Sequence, residues 1–156
     1  MHQSSFRKRR LVGSILVALQ FGLLLLTAAL AAPRILRGFI PVEAVSLAVA
    51  SLALAVWTLQ HNRLGNFNIR PTPMAWGGLV TTGPYRWIRH PMYTSVLMGA
   101  GALSWMSNQP AGWISWSALA VVLLIKSTLE ERWMRDEHPG YANYVRESKR
   151  FVPWLF

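Results

Sequence analysis

A block of basic and aromatic residues between two apolar regions carries the side chains best suited to chemistry. It runs from Gly83 to Tyr93 and reads Gly-Pro-Tyr-Arg-Trp-Ile-Arg-His-Pro-Met-Tyr. A proline fixes the backbone near each end, and the residue before a proline avoids the helical region, so a helix is predicted to begin at Pro91. Arg86, Arg89 and His90 then lie just before a helix N-terminus, which favours anions. The block therefore predicts an anion-binding site.

Two further features are predicted to lie on the same side of the molecule. Glu130 and Glu131 follow the last apolar segment, and their carboxylates could accept hydrogen bonds from ribose hydroxyls or a ligand ammonium. Gly99 and Gly101 lie on the helix predicted to begin at Pro91, where small residues could receive a flat ring. Each feature also has a structural interpretation: solvated charges for the glutamates and close helix packing for the glycines.

Four apolar segments would position these groups. They cover about residues 11–32, 42–60, 91–107 and 112–128, and a polar tail follows over 129–156. The first segment is long enough to cross a bilayer, whereas the last two are short and are interpreted as a tight helical hairpin. We therefore predict an all-α, polytopic membrane protein, one domain over 1–156, with about four transmembrane helices and a cytosolic helical tail. A loop rich in turn residues separates the second and third segments, over about 61–78.

The first segment has an alternative interpretation as a secretory signal peptide. Ala29-Leu30-Ala31 resembles a small-residue cleavage site, but the apolar run is longer than a usual signal core, which favours a retained span.

Basic residues and tryptophans predict the orientation. With four spans and both termini in the cytosol, 14 of the 16 Lys and Arg residues fall on the inner side, and Arg34 and Arg37 fall outside. Tryptophans concentrate near membrane surfaces, and most of them lie at predicted span ends. They are Trp57, Trp87 and Trp133 on the inner side and Trp105 and Trp113 on the outer side.

Composition narrows the possible functions. The chain has 156 residues and no cysteine, which excludes disulfides and thiolate metal sites, and no metal site is predicted. The net charge is +10, and the basic residues that cause it flank apolar spans instead of forming one basic face, so nucleic acid is not an expected partner. Membrane lipids are expected partners.

The motifs resemble the isoprenylcysteine carboxyl methyltransferase and phospholipid methyltransferase superfamily of integral membrane enzymes. The matching pieces are the block from Gly83 to Tyr93, then Glu130-Glu131, then Tyr141-x-x-Tyr144 leading to Arg150-Phe151-Val152-Pro153. The resemblance implies S-adenosylmethionine as methyl donor at the cytosolic face and a lipid or lipophilic small-molecule acceptor. It implies cofactor-binding roles for Tyr85, Arg89, His90, Tyr93, Gly99, Gly101, Glu130 and Glu131. It implies catalytic roles on the acceptor side for Tyr144, Arg146 and Arg150.

The acceptor end departs from the carboxyl methyltransferase pattern at Asn143 and at Arg146-Glu147, which argues against a prenylcysteine carboxylate as substrate. Sterol reductases that use NADPH carry a similar Arg-His-Pro-x-Tyr block, so a membrane reductase is one alternative. A non-catalytic module whose arginines bind anionic lipid is the other.

Overall fold

The computed structural model describes residues 2–62 and 79–156, and the secondary-structure elements within these ranges are helices. Most of the loop predicted over 61–78 lies outside the described residues. The helices are α1 (His2–Leu36), α2 (Val42–His61), α3 (Pro91–Ser107), α4 (Pro110–Glu137) and α5 (Tyr141–Glu147). One turn of 3₁₀-helix, Gly83–Arg86, precedes α3. The predicted all-α class is confirmed.

Three helices of the described chain are long and apolar enough to cross a membrane. The qualifying segments are Arg10–Leu36, Val42–His61 and Pro110–Asp136. Helix α3 has 17 residues, which gives a length of about 25 Å at the rise of an α-helix. A fourth transmembrane helix and the cytosolic tail therefore stay predictions, while membrane integration through apolar helices is supported.

Two helices extend beyond the segments predicted from hydropathy. Helix α1 continues through Pro33 to Leu36, so the connector to α2 is shorter than expected. Helix α4 continues past residue 128 to Glu137. As a result, Glu130 and Glu131 lie on the last turns of a long helix, which holds both carboxylates in a fixed relation to the bundle.

Helix α3 is the central element and packs against α1, α2 and α4. Small and hydroxyl-bearing residues make this possible, since they allow backbones to approach closely in lipid. The Ser104 hydroxyl donates to Ala100 O at 2.9 Å and can also donate to Gly112 O of α4 at 3.0 Å. Trp116 of α4 donates its indole N–H to Leu97 O at 2.9 Å. These bonds set the distance between α3 and α4.

Helix α1 is joined to α4 by polar side chains inside the apolar region. Thr27 and Ser115 share a hydrogen bond of 2.8 Å between their hydroxyl oxygens, and Ser115 is also 3.2 Å from Leu23 O. Gln20 and Lys126 form a second pair, with 2.6 Å between Oε1 and Nζ. Polar groups that meet within apolar surroundings favour one relative position of the two helices.

Two pairs of the predicted interfacial tryptophans are in ring contact. The rings of Trp57 and Trp87 lie 5.7 Å apart, and those of Trp105 and Trp113 lie 6.4 Å apart. Trp133, in contrast, is buried, with 7% of its surface exposed. Which side of a membrane each pair faces stays a prediction.

Candidate functional site

The tail folds back onto the start of α3. Backbone hydrogen bonds join Arg89 N to Lys149 O at 2.7 Å, and Lys149 N to Trp87 O at 2.8 Å. His90 N donates to Arg150 O at 3.1 Å, so the two segments run side by side as a short parallel pairing. This pairing brings Lys149 and Arg150 of the tail to the basic block.

Glu131 is the centre of a buried ionic network. Its side chain is 3% exposed, and it accepts from Arg89 Nε at 3.0 Å. Arg150 binds both carboxylate oxygens, with Nε 3.1 Å from Oε1 and Nη2 3.1 Å from Oε2. Such two-point contacts fix both distance and angle. Glu131 therefore joins α4, the segment before α3 and the tail in one arrangement.

Arg89 has a second role at the end of α5. Its Nη1 donates to the carbonyl oxygens of Val145, at 3.3 Å, and Ser148. The last carbonyls of a helix have no partner within the helix and attract cations. Arg89 therefore caps α5 while its Nε binds Glu131.

His90 lies between the two carboxylates. Its Nδ1 is 3.4 Å from Glu130 Oε2, and its Nε2 is 3.2 Å from Glu131 Oε1. A ring that donates through both nitrogens must be protonated. Burial lowers the pKa of His90, but hydrogen bonds and charge attraction from Glu130 and Glu131 outweigh burial and raise the pKa above its ordinary value of 6.5. His90 thus favours the cationic form in the folded chain.

This raised pKa predicts a dependence of stability on pH. Protonated His90 stabilises the fold fully below its ordinary pKa of 6.5, and the contribution is lost as pH rises through the raised value. We expect the melting temperature of detergent-purified protein to fall more steeply in the wild type than in His90→Gln as pH rises above 6.5. His138→Gln, outside the cluster, should keep the wild-type profile. Identical profiles for the wild type and His90→Gln would contradict the assignment.

Aromatic rings form a wall beside the charges. Tyr93 donates its hydroxyl to Glu130 Oε1 at 2.6 Å, and its ring stacks on His90 with 5.4 Å between centroids and 4° between planes. Phe151 of the tail contacts the rings of His90 and Tyr93 edge-on at 5.9 and 6.5 Å. These contacts orient the imidazole and keep the cluster in a partly apolar environment.

The remaining tyrosines hold the tail and stay protonated. Tyr144 donates its hydroxyl to Tyr85 O at 2.6 Å, which ties α5 to the 3₁₀ turn. Burial, aided by the charge of Glu130, raises the pKa of Tyr85 to about 12. Burial is also the main cause that raises the pKa values of Tyr141 and Tyr144. None of the three is suited to act as a base near neutral pH.

The structure brings most of the predicted site residues together but separates a few. Arg146 is exposed on α5. A Cβ on Gly99 would lie 3.0 Å from Ser51 Oγ of α2, and one on Gly101 would lie 3.4 Å from the Trp116 indole. Both glycines therefore lie at helix contacts, and their cofactor-binding role stays a prediction. The residues in or beside the cluster are Tyr85, Arg89, His90, Tyr93, Glu130, Glu131, Tyr144 and Arg150.

Lys126 was not among the predicted site residues, although it lies close to them. It is 1% exposed, and its Nζ lies 5.0 Å from the centroid of the Tyr93 ring. The sequence contained a signal, because Lys126 is a charge inside an apolar segment and precedes Glu130 by one helical turn. Its partner on α1, Gln20, could not be identified without the structure.

A curated protein resembles part of the chain. It is the cobalt-zinc-cadmium resistance protein CzcN of Cupriavidus metallidurans, which is 35% identical over 79 residues. The match covers 49% of this chain and 36% of CzcN, so the chain spans about a third of that relative's length. No solved structure gives a significant match to the chain.

A family model covers a larger part of the chain. The phospholipid methyltransferase model matches residues 39–139, a range that contains the basic block, α3 and both glutamates. Helix α1 and most of the tail, including Arg150, lie outside the matched range. The superfamily predicted from the motifs is confirmed: the chain belongs to the phospholipid methyltransferase family.

Proposed function

We propose that the chain transfers a methyl group from S-adenosylmethionine to a small or lipid-like acceptor, at the cytosolic face of a membrane. The observation that carries the proposal is the cluster formed by Arg89, His90, Tyr93, Glu130 and Glu131, in a chain of a methyltransferase family. When bound, the donor supplies an electrophilic methyl group on a sulfonium centre. The chain has to bind the donor, exclude water and align an acceptor.

The charges of the cluster are suited to a zwitterionic amino-acid group. Arg89, Arg150 and Lys126 carry three positive charges against the two of Glu130 and Glu131, and protonated His90 adds another. The surplus positive charge would attract a carboxylate, and a carboxylate of the chain would attract an ammonium group. The residues present therefore fit this donor.

The two glutamates are suited to different tasks. Glu131 is saturated by Arg89, Arg150 and His90, so it organises the other residues. Glu130 contacts Tyr93 and His90 and keeps 22% of its side chain exposed. We assign to Glu130 the contact with a ligand ammonium or ribose hydroxyl, since it has exposed acceptor capacity.

The same residues limit how an acceptor could lose a proton. A carboxylate acceptor needs no base, whereas an amine must be deprotonated before it attacks. The raised pKa values of Tyr85 and Tyr144 argue against either hydroxyl as that base. A lipophilic acceptor would enter from the bilayer, since the helices offer a large apolar surface.

The name of CzcN concerns cobalt, zinc and cadmium resistance, and a match over 36% of CzcN does not carry a role in metal resistance to this chain. The described part of the chain has no group of three or more His, Asp or Glu residues arranged to hold a metal ion. The cytosolic orientation of both termini follows from the distribution of basic residues and belongs to the proposal.

Titration of purified protein with each of the two candidate cofactors tests this function. We expect S-adenosylmethionine to bind the wild type saturably in detergent, as measured by calorimetry, and NADPH to bind at least tenfold more weakly. Arg89→Ala should weaken donor binding, since it removes a cation from the cluster and the cap of α5. Lys149→Ala, an exposed basic residue next to the cluster, is the matched control. Preferential binding of NADPH would support the reductase instead. Binding of neither cofactor would contradict both the methyltransferase and the reductase.

A further inference from the structure

The pair of Gln20 and Lys126 lies deep in the bundle, within helices suited to cross a membrane. Gln20 of α1 is 7% exposed and Lys126 of α4 is 1% exposed. Their side chains meet at 2.6 Å between Oε1 and Nζ. Moving a lysine ammonium into apolar surroundings costs several kcal/mol, so an ionisable residue there is more often functional than structural. A methionine of similar length would fill the space without that cost.

Lys126 connects this pair to the charged cluster. Its Nζ lies over the Tyr93 ring at 5.0 Å from the centroid, a cation–π distance. Tyr93 in turn donates to Glu130 at 2.6 Å and stacks on His90. Lys126 and Glu130 are also four residues apart on α4, so they share a helix face. The path from α1 to Glu130 therefore consists of three direct contacts.

We propose that Lys126, held by Gln20, is a positioning residue that fixes Tyr93 and Glu130 for donor binding, and that α1 is therefore part of the donor site. This inference rests on the proposed function. The ammonium fixes the tilt of the Tyr93 ring, and the hydroxyl of that ring fixes one oxygen of Glu130. The family match begins at residue 39, so it assigns no such role to α1.

The test compares two contacts between the same pair of helices. Gln20→Leu removes the oxygen that holds Lys126, and Lys126→Met removes the ammonium. Thr27→Val is the matched control, since it removes the hydrogen bond with Ser115 between the same helices. Calorimetry with S-adenosylmethionine and thermal melting are measured on full-length protein in detergent. We expect donor affinity to fall about tenfold, which corresponds to about 1.4 kcal/mol, in Gln20→Leu and Lys126→Met, because both changes release the contact that orients Tyr93 and, through it, Glu130.

Further comparisons separate positioning from simple packing. Gln20→Glu keeps an acceptor oxygen for Lys126 and should retain donor affinity within about threefold, since the ammonium stays in position. Thr27→Val should bind the donor as the wild type does, whatever its melting temperature. If Lys126→Met does not fold, Gln20→Leu carries the test alone, because it leaves the charge in place.

Each outcome decides between the two proposals. If Gln20→Leu binds the donor as tightly as Thr27→Val while Glu130→Gln binds it weakly, the role of α1 is wrong and the proposed function stands. If the wild type does not bind the donor, the proposed function is wrong and the positioning role falls with it.

Discussion

Glu131→Gln is expected to lower the melting temperature of the purified protein by about 10 °C, the largest effect on stability that we predict. Glu131 is 3% exposed and binds Arg89, Arg150 and His90. Glutamine keeps the shape but loses the charge, so two guanidinium groups lose their counter-charge. Breaking a buried ion pair costs about 3–5 kcal/mol, and a protein of this size loses about 2–4 °C for each kcal/mol. Donor binding should be lost with the arrangement of the cluster.

Differential scanning fluorimetry of detergent-purified protein measures this change. Glu43→Gln is the control, because Glu43 is an exposed glutamate in the first turn of α2. It should melt within about 1 °C of the wild type, as surface substitutions generally do. A Glu131→Gln variant that melts like Glu43→Gln would show that the network does not hold the tail to the bundle.

Glu130→Gln is expected to reduce the affinity for S-adenosylmethionine about 10- to 100-fold with little change in melting temperature. A hydrogen bond to a charged group contributes about 1.5–3 kcal/mol. Arg89, Arg150 and His90 all keep their contacts with Glu131 when Glu130 becomes glutamine, so none of these cations loses its last carboxylate partner. Glutamine can still accept from Tyr93 through its amide oxygen.

Calorimetry measures the affinity, and Asp136→Asn is the matched control. Asp136 is an exposed carboxylate six residues further along α4, so its substitution removes the same charge from the same helix. Equal donor affinity in Glu130→Gln and Asp136→Asn would remove Glu130 from the donor site. The two glutamates, adjacent in sequence, would thus be distinguished by whether stability or binding is lost.

The basic block and the glutamate pair could be predicted to meet because both signals are local. Pro91 begins α3, and the end of an apolar run marks where α4 reaches the polar region, so hydropathy alone brings Glu130 and His90 to one end of the bundle. The structure has them 3.4 Å apart. Both termini of α3 also agree with prediction, since a proline begins the helix and Asn108 ends it in the left-handed conformation.

Long-range pairing could not be predicted from the sequence. The choice of Arg150 as bidentate partner of Glu131 depends on the backbone pairing of the tail with residues 87–90. The roles of Gly99 and Gly101 depend on which helix lies opposite, because small residues suit both a ligand and a close helix contact. The contact of Lys126 with Gln20 joins residues 106 positions apart. These features arise from tertiary packing, which local patterns do not encode.

The short parallel pairing between Trp87–His90 and Lys149–Arg150 also has a kinetic consequence. The amide protons of Arg89, His90 and Lys149 all lie within it, so none can exchange with solvent until the tail lifts from α3. Their exchange rates should therefore be similar to one another and report a single opening step. Because the same lifting would separate Arg150 from Glu131, those three amides measure how often the site is dismantled at equilibrium.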